Sequence, residues 1–418
     1  MKKFMYLIPL AAVALASCSN ESTDSREQRT ATNPGTALNI FPAVQGTTRG
    51  TITTDANFTS FIVKASADAN FWYVDQGAAA PDPSNASSYK VLGTGFTATV
   101  TKTNNKWQIQ PTDPVVNDPE NPIKDYYWSS KSMTSSFTAW APTTFNPEND
   151  YTVEKEIGDQ EDIVYAYNSG AASTFTSGVP MNFQHALSQV VIKALNKDNT
   201  YEIKVAGVKL NNIKNKGLFN MGDVATATTS GVFTWPADVW TLRSSYDTYL
   251  VGANDAVVTT AEAAFPPITL SSAAKQLTSQ PFILMPQTTA KADLTQQTVS
   301  GAYFSILVQV RYKSGEKQGK MKYPTMDTDD EAQGYYAYVA VPVDIDWKPG
   351  YKYTYTLNFS KDGIGKVDPK YPDNKPTPLN GYPTADVEEG EDILDGAVPL
   401  YFTVTVEDWT DAFETIDM

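Results

Sequence analysis

Tyr351-Lys352-Tyr353-Thr354-Tyr355-Thr356-Leu357-Asn358-Phe359 carries an apolar or aromatic side chain at every odd position and a polar one at every even position. Successive side chains of an extended chain point to opposite faces, so this stretch reads as a strand with one face on a core and one in water. Phe304, Ile306, Val308, Val310 and Tyr312 repeat the spacing upstream, with Ser305, Leu307, Gln309 and Arg311 between them. So do Val339, Val341, Val343 and Ile345. Near the C-terminus Leu400, Phe402, Val404 and Val406 face one way and Tyr401, Thr403 and Thr405 the other.

Shorter strand signals run back toward the N-terminus: Ala37–Gln45, Phe58–Ala65, Phe96–Thr101, Trp107–Gln110, Ser135–Ala141 and Ile163–Tyr167. Tyr201–Val205 and Phe282–Met285 add two more. Segments rich in Pro, Asp, Asn, Ser and Gly separate them, at Gly77–Ser88, Pro111–Pro122 and Asp362–Asp395, and read as loops. Short strands without a helical period point to an all-β chain of antiparallel sandwich sheets. With 418 residues it has room for two domains. The division is placed at 180/181, where Phe183–Ala194 opens a long strand-like apolar run; residues 50–180 form the first part and 181–418 the second.

The N-terminus has a secretory order: Lys2 and Lys3, an apolar run from Met5 to Ala16, then Ser17-Cys18. Leu15-Ala16-Ser17-Cys18 resembles a bacterial lipobox, which implies a signal peptide over 1–17 and a diacylglycerol on Cys18. Cys18 is the sole cysteine, so the chain makes no internal disulfide and no thiolate zinc cluster. Residues 18–49 then read as a polar tether followed by an isolated first strand and the turn Thr47-Thr48-Arg49-Gly50. The formal charge of −15 becomes more negative once residues 1–49, with five basic and three acidic groups, are removed. Such a chain repels nucleic acid.

Catalytic constellations are scarce. His185 is the sole histidine and sits in an apolar run, where it reads as a structural residue; no Gly-x-Ser-x-Gly elbow accompanies it. The acidic groups Asp327–Glu331 and Glu388–Asp392 lack the twelve-residue calcium-loop spacing and read as solvated loops. Neither an enzyme nor a cofactor is expected. Trp72, Trp107 and Trp128 are the stacking candidates if the long loops bind a glycan.

Six motifs in order resemble the fimbrillin-like proteins of Bacteroides-type bacteria, the subunits of type V pili. They are the lipobox, the tether with its strand and Thr-Arg, Pro180–Leu187 leading into Val190–Lys193, Leu284-Met285-Pro286-Gln287, Asp346–Leu357, and Val404–Trp409. The resemblance implies two transthyretin-like antiparallel β-sandwich domains in tandem and an outer-membrane lipoprotein precursor that becomes part of a cell-surface fimbrium. It implies removal of the first strand by an arginine-specific protease, after Arg49 and before Gly50, with Arg29 as the alternative site. A neighbouring copy or related pilin would then supply a strand; in this chain the donor is read as Leu400, Phe402, Val404 and Val406. The other readings are a fimbrial tip or anchor subunit, and a non-polymerising lipoprotein that binds glycan or host protein.

Overall fold

A computed structural model describes residues 38–44, 58–75, 90–104, 106–111, 123–128, 134–175, 178–197, 199–221, 239–252, 267–278, 280–295, 299–324, 336–360, 363–368 and 400–409. Apart from one short 3-10 turn at Ile157–Asp159 and the single helical residue Met221, the regular structure among them is strand. In the first half lie β1 (Ile40–Val44), β2 (Ser60–Asp75), β3 (Lys90–Thr103), β4 (Lys106–Pro111), β5 (Ile123–Tyr127), β6 (Thr134–Ala141), β7 (Asp150–Thr152), β8 (Val164–Ala171) and β9 (Val179–His185). Next come β10 (Ser188–Asn196), β11 (Tyr201–Lys214), β12 (Lys216–Phe219), β13 (Trp240–Leu242), β14 (Tyr246–Gly252), β15 (Ile268–Thr269), β16 (Lys275–Gln276), β17 (Phe282–Leu284) and β18 (Gln287–Thr289). The last group is β19 (Tyr303–Tyr312), β20 (Met321–Tyr323), β21 (Ala337–Pro342), β22 (Ile345–Trp347), β23 (Tyr351–Phe359), β24 (Lys366–Val367) and β25 (Tyr401–Asp408).

The first sheet runs β1-β9-β8-β6-β2-β3-β4, with β5 on β2. Its inward residues, among them Phe61, Val63, Val100, Phe137, Ala139, Met181 and Phe183, form one core with Leu38 and Ile40. Two further sheets, β16-β10-β23-β25 and β14-β11-β19-β21-β24, face one another across a second core. Val190, Ile192, Tyr355 and Leu357 come from one side and Ile203, Val208, Phe304, Ile306 and Val339 from the other, which makes this half a β-sandwich. Phe304 meets Tyr355 edge to face across the layer, ring centres 5.0 Å apart. A three-stranded sheet, β13-β12-β7, lies between the halves and sets Phe219 against Tyr165 of the first sheet at 4.8 Å.

Three expectations from the sequence need correction. Phe183–Ala194 is two strands: β9 ends at His185 in the first sheet and β10 begins at Ser188 in another, so the chain crosses between sheets at Ala186–Leu187. Val339–Ile345 is likewise split between β21 and β22, which belong to different sheets. Within the expected loop Asp362–Asp395, Lys366–Val367 pairs with Val339–Ala340 and Asp368 is fully buried. Asp368 lies over the outward face of β19, where Ser305 donates to its carboxylate and accepts from Asn211 Nδ2 at 2.8 Å. Asp368 over Ser305, Ala292 and Leu294 beside Tyr303, and Ala206 and Tyr338 beside Leu307 together bury β19 on both faces from Tyr303 to Val310, while β23 alternates.

Candidate functional site

Two strands at sheet edges carry the features on which strand exchange would depend. β1 is one. It pairs in parallel with β9, Ile40 opposite Val179 and Val44 opposite Phe183. Just before it, Leu38 N donates to Tyr126 O of β5 at 2.7 Å, so the segment lies across from β5 as well as along β9. Leu38 and Ile40 are 4% and 3% exposed and close a core that contains Phe58, Phe61 and Phe183. Phe183 meets the rings of Phe58 and Phe61 edge-on at 4.9 and 5.1 Å. Arg49 and Gly50 fall between β1 and Phe58; they, Arg29 and Cys18 lie outside the described residues.

β25 is the other. It is the terminal strand of its sheet and pairs antiparallel with β23, Val404 opposite Tyr355 and Val406 opposite Tyr353. Residues directly opposite share a face, so Leu400, Phe402, Val404 and Val406 lie on the side where Tyr353 and Tyr355 are buried. Leu400 is buried and Phe402 half-buried against the core. Val404 and Val406, by contrast, are 42% and 53% exposed. The four apolar residues singled out as the donor are thus seated in the chain's own sheet, with the outer pair open to solvent.

Where β25 ends, four of the sequence motifs meet. His185 Nδ1 shares a 2.8 Å hydrogen bond with the buried Asp162 carboxylate, and its ring stacks on Trp409 at 4.0 Å and 5°. Ala186 N donates to Ile163 O, and Ala186 O accepts from Trp240 Nε1 at 2.7 Å. Leu187 O accepts from Gly350 N at 2.9 Å, and Gly350 O accepts from Trp409 N at 2.7 Å. Gly350 has φ +75°, a conformation that favours a residue without Cβ, in the turn that delivers these two bonds. Strand β23 holds the turn from below: Tyr355 OH accepts from Trp347 Nε1 at 3.0 Å and Tyr353 OH from Lys348 N at 2.8 Å. Burial pushes the Tyr355 phenol up to about 12, which keeps it neutral. From the Leu284–Gln287 motif, Gln287 joins β18 to β22 beside Trp347.

This junction is hydrogen-bonded packing, and His185 is engaged in it through Asp162 and Trp409. Among the described residues no group of three or more His, Cys, Asp or Glu side chains is placed to hold a metal. Of the tryptophans singled out as stacking platforms, Trp128 is buried against Phe137 and Trp107 packs on Phe58 and Phe61. The side chain of Trp72 and both acidic groups, Asp327–Glu331 and Glu388–Asp392, fall outside the described residues. The junction itself was missed as a site from sequence; the sole histidine, inside the Pro180–Leu187 motif, was the available signal.

No curated protein matches the chain. Among solved structures, a fimbrial protein from Bacteroides vulgatus is similar at 14% identity and TM-score 0.44, covering 90% of this chain and 100% of that one. A protein from Bacteroides ovatus described as a candidate cell-adhesion protein is similar at 12% identity and TM-score 0.40, covering 91% and 99%. A model of the fimbrillin-like family matches residues 73–371, most of the chain, and the protein belongs to that family.

Proposed function

We propose that the protein is a structural subunit of a cell-surface fimbria, lipidated at Cys18, trimmed after Arg49, and polymerised by insertion of a neighbour's strand where β1 had been. The observation that carries this reading is the position of β1: a five-residue strand at a sheet edge, followed by an arginine, that closes a core made by other strands. Burying two aliphatic side chains of this size stabilises by roughly 1.5–3 kcal/mol each. Each backbone bond to β9 adds about 0.5–1.5 kcal/mol. Against a total stability of about 5–15 kcal/mol, a subunit that loses β1 keeps its fold only with a substitute strand. β-Strand addition supplies one, since the vacated row of backbone groups gives affinity and the pockets of Leu38 and Ile40 give register.

An acidic chain in a fimbrillin-like family supports a structural and adhesive role over a catalytic one, with the partners being copies of itself and related pilins. Limited trypsin treatment of the full chain tests the reading. A stable product beginning at Gly50, which forms filaments visible by electron microscopy, is the expected outcome. A resistant product that keeps Ile40, or a trimmed product that stays monomeric, favours a tip, an anchor or a non-polymerising lipoprotein. The anchor is checked separately: Cys18→Ala should abolish palmitate labelling in the native host, and persistent labelling would overturn the lipobox.

A further inference from the structure

β25 is held at its ends more firmly than along its length. Leu400 and Trp409 are buried at 6% and 3% exposure, yet every residue from Thr403 to Glu407 is exposed. Among the described residues only one edge of the strand is paired within its sheet, with β23. In the stretch between its anchors β25 therefore has little beyond a single ladder of backbone bonds, and segments of that kind are the first to open locally.

The C-terminal anchor has an unusual construction. Trp409 lies face to face on His185, which belongs to the first sheet's β9 and is fixed by Asp162 ahead of β8. The same tryptophan's backbone N–H donates to Gly350 O at the turn before β23. One residue thus ties the end of the last described strand to the turn before β23 through its backbone and to the crossing point between the two halves through its ring. The clasp is also imperfect: the Trp409 Nε1 hydrogen is buried with no hydrogen-bond partner among the described residues, a cost that release to water would remove.

We propose that Trp409 is a releasable clasp that keeps β25 in its own sheet, and that opening it frees β25 for donation to a neighbouring subunit. This rests on the strand-exchange reading above and adds to it a control on the donor. While the stack on His185 persists, Leu400, Phe402, Val404 and Val406 are unavailable to another copy. Once it is lost, the strand is held by its ladder to β23, by the backbone bond from Trp409 to Gly350 and by Leu400 and Phe402 at its N-terminal end, and nothing but the ladder holds residues 403–407.

Hydrogen exchange on the intact full-length chain reads the clasp directly. Trp409→Ala should raise exchange at the amides of residues 401–408 by about tenfold or more, while the β11 and β19 amides keep their protection. Trp409→Phe, which retains a ring to lie on His185, should restore most of the protection, and His185→Ala should mimic the loss. After tryptic trimming, Trp409→Ala should also polymerise faster than the wild type. Unchanged exchange at 401–408 overturns the clasp, as does an equal rise in β11 and β19, which would mark Trp409 as ordinary core. If β25 loosens but neither trimmed protein polymerises, the strand-exchange reading falls and the donation step with it. If trimmed wild type polymerises while Trp409→Ala neither loosens β25 nor changes the rate, the clasp alone is wrong.

Discussion

The first and the last described strands both lie at sheet edges, and they differ in what they cover. β1 runs parallel to its neighbour and turns Leu38 and Ile40 into a core ringed by aromatic side chains. β25 runs antiparallel, and on the corresponding side leaves Val404 and Val406 in water. β25 alternates cleanly in sequence and still leaves its outer half in water, so alternation by itself does not say whether a strand fills a core or merely borders one. What decides it is the opposite wall. β1 faces the rings carried by β2 and β9, whereas beyond Tyr353 and Tyr355 no described residue buries the outer half of β25.

The sharpest way to break this comparison is a buried charge. Ile40→Asp places a carboxylate in an apolar core and should cost about 3 kcal/mol or more, lowering the urea midpoint of the untrimmed chain severely. If its melt is close to that of the wild type, β1 is not sealing the core and the strand-exchange argument loses its main support.

A second and more gradual test uses the tyrosines that separate the covered from the uncovered half of β25. Burial raises the pKa of Tyr353 and brings that of Tyr355 to about 12, against an ordinary value of 10.0. A raised value in the folded state means that the neutral phenol is favoured there. The associated stability is complete below about pH 10, where unfolded tyrosine is neutral, and is lost as the pH rises toward about 12. Tyr336, also brought to about 12 by burial, behaves in the same sense. Thermal melts should therefore hold steady up to about pH 10 and fall above it, and Tyr355→Phe should flatten part of that fall at a cost of about 1 kcal/mol at neutral pH for the lost bond from Trp347. A pH-independent melt through this window would mean that these phenols are not buried.

How much of this was legible depended on whether water touched one face of each strand. At β23, Lys352, Thr354, Thr356 and Asn358 stay partly solvated opposite buried Tyr353, Tyr355, Leu357 and Phe359, so the period could be read directly. At β19 the polar positions are buried as well, because Ser305 meets Asp368 and Asn211, residues remote in sequence. The crossing at Ala186–Leu187 was hidden for another reason. Strands on both sides of it are apolar, and the bend is fixed by a bond to Ile163 O and bonds from Trp240 and Gly350, none of them local. For the same reason His185 could be recognised as structural while its stack on Trp409 could not be foreseen.

The smallest expected effect on the monomer is the one that sharpens the comparison most. Val404 is exposed, so Val404→Asp removes little buried area and should shift stability by less than about 1 kcal/mol, most of it lost strand propensity. A donated β25 would be in a different situation, because Val404 would then enter a groove built for apolar side chains, and an unpaired carboxylate there is costly. A one-residue slip offers no escape, since it would turn Leu400, Phe402 and Val406 outward together. The variant should accordingly melt like the wild type, be trimmed by trypsin at the same rate, and fail to form filaments. Normal filaments from Val404→Asp would show that the neighbour does not read this face of β25, and the donated segment would have to be sought beyond Trp409. A large loss of monomer stability would instead mean that the outer half of β25 is covered after all, and the contrast with β1 would disappear.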